Sequence, residues 1–148
     1  MRGTRGFTLV ELAGVLAITG VLATLALPSY RGYALRANRA VGKTVLLEIA
    51  SRQEIWFAEN KAYAVSLAAL YPADAQGWTY FGRDGSSEAP ASRAAIYRAR
   101  LATADAMSFR AELEPVNGQA GDKSCGTLSY DQLGQHGASG PDGAACWR

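Results

Sequence analysis

His136 is the only histidine of the chain and stands in a glycine-rich run, residues 134–143. A Ser/His/Asp relay needs a rigid scaffold around its imidazole, which such a run does not offer. The sequence holds no phosphate loop, dinucleotide fingerprint or metal-ligand cluster, so neither enzyme activity nor a cofactor is expected. Asp122, Asp131 and Asp142 could take calcium, but their spacing fits no calcium loop and solvated turn carboxylates are the simpler reading. Arg98, Arg100 and Arg110 could form a small basic patch, with Tyr97 and Trp78 offering faces on which bases stack. Arginines on the solvent face of a sheet are the alternative.

The charge that its surroundings make expensive is Glu11. Residues 7–27 form an almost unbroken apolar run of Leu, Val, Ala and Ile, preceded by the basic leader Met1-Arg2-Gly3-Thr4-Arg5-Gly6. The run has the roughly 20 residues needed to cross a hydrocarbon core as a helix. A carboxylate at mid-bilayer costs ~3 kcal/mol, and less near the end of the span, where Glu11 sits. A secretory signal would put a small-residue cleavage site after the apolar core. Here the small residue, Gly6, comes before it. A cut there removes only the charged leader, keeps the apolar helix, and frees an amine on Phe7 as a counter-charge for Glu11.

Gly6-Phe7-Thr8-Leu9-Val10-Glu11-Leu12, with the leader before it and the apolar run after it, resembles the prepilin cleavage and methylation motif of type IV pilins. The resemblance implies cleavage between Gly6 and Phe7 by a prepilin peptidase and N-methylation of Phe7. It also implies that Glu11 sets subunit register by pairing with a neighbour's amino terminus. Its partners would be other major and minor pilins, the inner-membrane pilus assembly machinery, and the lipid bilayer before assembly. The subunit would cross the inner membrane once with its head in the periplasm, then become part of an extracellular pilus. One rule runs the other way: positive residues favour the cytoplasmic side, yet Arg31, Arg36, Arg39 and Lys43 follow the apolar run.

Glu11 and Phe7 need a helix to carry them, and that helix continues past the membrane. Pro28 removes a backbone hydrogen bond and Gly20 weakens the same stretch. Either a simple kink there or, as in the resembled family, melting on assembly is open. Over 29–60, Val41, Val45, Leu46, Ile49, Trp56 and Phe57 make an apolar stripe at helical spacing. A short helical turn is expected over 63–70 and a loop over 72–77. Alternation predicts strands over 95–102 and 107–116 with a turn at 103–106, a weaker strand over 127–132 and a short one over 78–81. Residues 82–92 read as loop.

The formal net charge is +2, and the leader supplies two of the arginines. Residues 44–148 hold nine Lys and Arg against twelve Asp and Glu, so the head nets minus three, which does not favour general nucleic-acid binding. Cys125 and Cys146 form no CxxC motif and have no histidines at zinc spacing. On a non-cytoplasmic head a disulfide is expected, pinning the glycine-rich run back onto the third strand.

Asp122-Lys123-Ser124-Cys125-Gly126-Thr127-Leu128, Gln132-Leu133-Gly134 and Cys146-Trp147-Arg148 resemble the minor pilins of the same family. The implied fold is α+β, the type IV pilin fold. A long N-terminal helix, membrane-spanning in its first half, packs on an antiparallel β-sheet, and a disulfide closes a C-terminal loop. The expected divisions are a leader (1–6), an assembly helix (7–28), an amphipathic helix (29–60) and a head (61–148). The expected function is that of a minor pilin that primes or joins pilus assembly. The alternatives are a type II secretion pseudopilin and a DNA-binding minor pilin for DNA uptake.

Overall fold

The structure, a computed structural model, describes residues 7–90 and 92–148, and the side chains of these apart from 25–29. Gly6 and the basic leader lie outside the described residues. The chain forms two units, 1–34 and 35–148. In the first, the described residues are the helix-entry pair Phe7 and Thr8 and the beginning of α1 (Leu9–Asn60). Among the described residues no helix is long and apolar enough to cross a membrane.

In the second unit the rest of α1 is laid against a six-stranded sheet. The strands are β1 (Thr79–Phe81), β2 (Ser87–Glu88), β3 (Tyr97–Ala104), β4 (Phe109–Pro115), β5 (Leu128–Asp131) and β6 (His136–Ala138). Their order is β2-β1-β3-β4-β5-β6, and all neighbours are antiparallel. Because side chains alternate across a strand, Tyr97, Ala99, Phe109, Ala111, Leu113 and Leu128 face inward. They meet Val45, Leu46 and Ile49 of α1, and Leu67, Tyr71 and Phe81 complete the core. Gly42 lets the helix come this close, since a Cβ there would stand 2.9 Å from the Tyr97 ring and 3.1 Å from Leu113.

The apolar stripe of α1 shifts at its end. Gln53, not Trp56, is the fully buried residue one turn beyond Ile49. Its amide donates to the Ala64 carbonyl (3.0 Å) and accepts from the Ala64 N–H (2.9 Å). A polar side chain is tolerated there because both ends of its amide are satisfied. Trp56 is half-buried, and Phe57 stacks on Tyr63 at 4.8 Å.

Two strands form where loop was expected. β2 arises inside 82–92 because Gly85, at φ +79°, turns the chain so that Ser87 and Glu88 pair with Phe81 and Tyr80. β6 arises inside the glycine-rich run, pairing Ala138 with Leu128. The hairpin between β3 and β4 turns over 105–108, two residues later than the expected 103–106, because β3 runs on to Ala104 and the Asp105 carboxylate accepts from the Met107 and Ser108 N–H groups (both 2.8 Å).

The Cys125–Cys146 disulfide joins the segment just before β5 to the last 3₁₀ turn (Gly143–Trp147). Both cysteines are buried in the core. Gly140 passes the Ser124 carbonyl with no room for a side chain, and the Trp147 indole donates to the Gly137 carbonyl at 2.9 Å. The bridge therefore anchors a segment poor in apolar area of its own. Replacing both cysteines by serine is expected to lower head stability by about 3 kcal/mol, the chain-entropy value for a loop of this length. Urea unfolding with and without reductant checks this, since reductant should shift the parent's midpoint and leave the variant's unchanged.

Candidate functional site

Almost all described side chains of the N-terminal unit are exposed. Phe7 is 86% exposed, and Leu9, Val10, Leu12, Val15, Leu16, Ile18, Val21 and Leu22 are all more than half exposed. The Thr19 and Thr24 hydroxyls donate to the Val15 and Val21 carbonyls (2.8 and 2.7 Å), which turns their polar atoms back onto the helix. A helix apolar on every side must find other apolar matter to lie in. Glu11 forms a capping box with Thr8. The Thr8 N–H donates to Glu11 Oε2 at 3.4 Å, and the Glu11 N–H donates to Thr8 Oγ1 at 3.3 Å. Gly20 and Pro28 both lie within continuous helical backbone, and space around Gly20 is open.

The outer face of the sheet gathers the three arginines singled out from the sequence, each beside an acid. Register places Arg98 opposite Glu114 and Arg100 opposite Glu112. Both pairs close, at 2.7 and 3.4 Å. Arg110 lies 3.6 Å from Asp131 and donates to the Ser129 hydroxyl at 2.9 Å. Trp78 is covered by guanidinium groups, Arg98 at 4.1 Å and Arg100 at 4.9 Å from its ring centre. Such cation–π contacts are worth ~1 kcal/mol each when exposed. The Trp78 loop is fixed by Asp74, whose carboxylate accepts from the Trp78 and Gln76 N–H groups and the Tyr80 hydroxyl. These donors, Trp78 first, hold Asp74 below the ordinary carboxylate range. Tyr97 is not part of this face. It points into the core, where burial, then the Asp122 carboxylate, pushes its phenol upward.

A cluster that sequence reasoning missed joins α1 to the base of the disulfide loop. The Arg39 guanidinium grips Asp122 with two bonds, 2.7 and 2.6 Å, and Asp122 is only 3% exposed. That hydrogen bonding raises the Arg39 pKa. Gln119 is buried beside it. Its Nε2 donates to the Leu35 carbonyl, the Tyr97 hydroxyl and Asp122, and its Oε1 accepts from Asn38 at 2.8 Å. Only the spacing of Asn38 and Arg39 on the stem helix could have hinted at it. Asp131 instead closes a turn by accepting from the Leu133 and Gln135 N–H groups. Among the described residues no group of three or more His, Cys, Asp or Glu could hold a metal ion. His136 packs on the Trp147 ring at 4.6 Å.

Two family models match. One, described as the prokaryotic N-terminal methylation motif, matches residues 1–27. The other, described as type IV minor pilin ComP, DNA uptake sequence receptor, matches residues 28–129, more than half of the chain. The chain belongs to the type IV minor pilin ComP family. Curated relatives agree on the pilin level. The type IV major pilin PilA of Myxococcus xanthus is 38% identical over 60 residues, 40% of this chain and 27% of that one. The type IV wide pilus major component PilA4 of Thermus thermophilus is 37% identical over 70 residues, 47% and 53% of the two chains. The major pilin PilE of Neisseria gonorrhoeae is 51% identical over 43 residues, 29% and 25% of the two. The chain thus spans about a quarter to a half of the length of these relatives. The likeness of the C-terminal pattern to minor pilins falls within the same type IV pilin family. As a ComP-family pilin the chain has the expected α+β fold, with its long helix, antiparallel sheet and Cys125–Cys146 disulfide.

Removing Asp122 takes the acceptor from both guanidinium bonds of Arg39, itself 20% exposed, and from Gln119, at a cost of roughly 1.5–3 kcal/mol for a charge-assisted contact. Asp122→Ala is expected to destabilise the head by that order, and Asp122→Asn by less, since its amide oxygen still accepts from Gln119. Thermal unfolding of the two variants beside the parent measures the difference.

Proposed function

We propose that this pilin is cleaved between Gly6 and Phe7, methylated on Phe7, and built into a pilus through its N-terminal helix as a minor subunit. The observation that carries the reading is a helix apolar on all sides, with one carboxylate near its start, directly after a matched methylation motif. Other pilins offer that surface an apolar environment once it leaves lipid, and burial at about 25 cal/mol per Å2 drives the transfer. Glu11 then exchanges its weak cap contact for a neighbour's amino terminus. Before assembly the subunit is held in the inner membrane with its head in the periplasm; afterwards it is extracellular. The prepilin peptidase and the inner-membrane assembly machinery are its processing and building partners. The family is one of structural subunits, and filament entry involves no turnover of substrate. Gly20 and Pro28 would loosen the helix between them if it stretches inside the fibre.

Glu11→Ala is expected to leave processed protein in the membrane and to deplete it from sheared pili. Intact mass of the protein from sheared filaments, beginning at methylated Phe7 in the parent, reads both steps. Normal incorporation of the variant would sink the register role.

A second reading is that the head contacts DNA, as the description of the matched family suggests. The geometry redirects where such contact would fall. Arg98, Arg100 and Arg110 are engaged by Glu114, Glu112 and Asp131. Arg83, Arg93 and Lys123 make no ion pair among the described residues and are exposed. Phosphate contacts should therefore come first from exposed cations of this kind, Arg83 and Lys123 among them. Lys123→Ala or Arg83→Ala is expected to lower DNA affinity and to reduce the salt dependence by about one unit per lost phosphate contact. Arg98→Ala with Arg100→Ala should change binding less. Binding independent of salt would contradict this reading.

A further inference from the structure

The first turns of the stem carry side chains that neither filament register nor DNA contact uses. Tyr30 and Tyr33 are 70% and 67% exposed, and three-residue spacing puts them on one face of the helix. Arg31, between them, is exposed as well. Neither ring stacks on another aromatic among the described residues. The backbone is helical throughout this stretch. At 1.5 Å per residue, Tyr30 and Tyr33 stand about 5 and 9 Å along the chain beyond Leu27. The polar head-group layer on each side of a bilayer is roughly 5–8 Å thick, and helical side chains lean toward the helix N-terminus, which brings the Tyr33 ring back into it. A tyrosine has an apolar ring and a polar tip, which suits it to that layer, and an arginine there can extend its guanidinium to lipid phosphates.

We propose that in the unassembled subunit Tyr30, Arg31 and Tyr33 form an interfacial collar seated on anionic phospholipid head groups, on the side of the membrane where the head lies. The proposal rests on the reading that residues 7–27 span the membrane before assembly. Charge complementarity selects the partner: a guanidinium at the same depth as two amphipathic rings, on another side of the helix, meets phosphate where the rings meet the interface. The collar also gives a role to a cation that the loop-charge rule would place on the other side. It fixes the depth of the helix before assembly, and the assembly step must strip it from lipid.

The test uses the full chain reconstituted in nanodiscs containing anionic lipid, with bromine-labelled lipids as depth-dependent quenchers. Tyr33→Trp reports the collar and Leu16→Trp reports the middle of the apolar run, each against the parent's Trp56, Trp78 and Trp147. The expected result is that Tyr33→Trp is quenched by bromines near the head groups and not by those near the chain ends, with Leu16→Trp showing the reverse. Adding Arg31→Gln should weaken the preference of the collar probe for anionic over zwitterionic lipid about fivefold. If Leu16→Trp is quenched deep but Tyr33→Trp escapes shallow quenching, the collar is wrong and the anchor stands. If Leu16→Trp escapes deep quenching, the anchoring reading fails, and the collar with it. Emission of the collar probe that follows the protein-to-lipid ratio, without shallow quenching, would assign the tyrosines to contact between copies and overturn the proposal.

Discussion

The head depends on how closely its sheet can approach α1. Gly42 sets that distance, because Tyr97 and Leu113 occupy the space a side chain would take. With the approach fixed, Val45, Leu46 and Ile49 reach the inward faces of β3 and β4, and the core forms along that line. The polar contacts then follow as consequences. Arg39 stands one turn before Lys43 on the same helix, and the Gly42 approach brings it within two hydrogen bonds of Asp122. Asp122 leads directly into Cys125, so the helix, the ion pair and the disulfide hold the C-terminal segment at one place. A buried ion pair is weak support for stability by itself. Its contribution here is positional, since Gln119, Asn38 and Tyr97 saturate the remaining polar atoms and leave the loop one way to dock.

The outer face of the sheet obeys a different logic. Cross-strand neighbours of opposite sign stabilise an antiparallel pair by a few tenths to one kcal/mol. The Arg98–Glu114 and Arg100–Glu112 pairs are of that kind, and exposed pairs of this sort add little to stability. What they do is balance charge over a broad polar surface. A polyanion approaching this face meets guanidinium groups already sharing their field with carboxylates, so its gain is the difference between two ion pairs. Cations outside the ladder face no such competition. The same composition that makes the head net negative thus leaves a few positions on its loops better suited to phosphate than its arginine-rich strands.

The helix, its apolar stripe, the main hairpin and the cysteine pairing were legible because each is a periodic or compositional signal. Val45, Leu46 and Ile49 recur at helical spacing, and 107–116 alternates cleanly. β2 and β6 were not legible, since each is two or three residues long, too short to show an alternation, and lies in a glycine-rich stretch that composition alone reads as loop. Gln53 and Gln119 were missed for a related reason. A hydrophobic pattern excludes polar residues from a core, but an amide whose donor and acceptor are both met can be buried at little cost. The arginines were visible as a group, and Glu112 and Glu114 as the same face of the next strand. The register that sets them opposite one another is a tertiary fact.

Under the proposed assembly, Glu11 would serve two states of the molecule. In a single subunit it closes a capping box with Thr8, but its bond to the Thr8 N–H is 3.4 Å, near the long limit for a useful hydrogen bond. A contact that long contributes little and is given up readily. The helix start has other means to satisfy its first N–H groups, including the Thr8 hydroxyl acting on Glu11 itself. An ammonium on Phe7 or on a neighbouring subunit, in surroundings as apolar as Leu9, Val10 and Leu12 provide, would interact with the carboxylate far more strongly than in water. The weakness of the intrachain contact is what leaves Glu11 available. A carboxylate tightly bound within its own subunit would gain less from a neighbour, and would discriminate less between a subunit in register and one out of it.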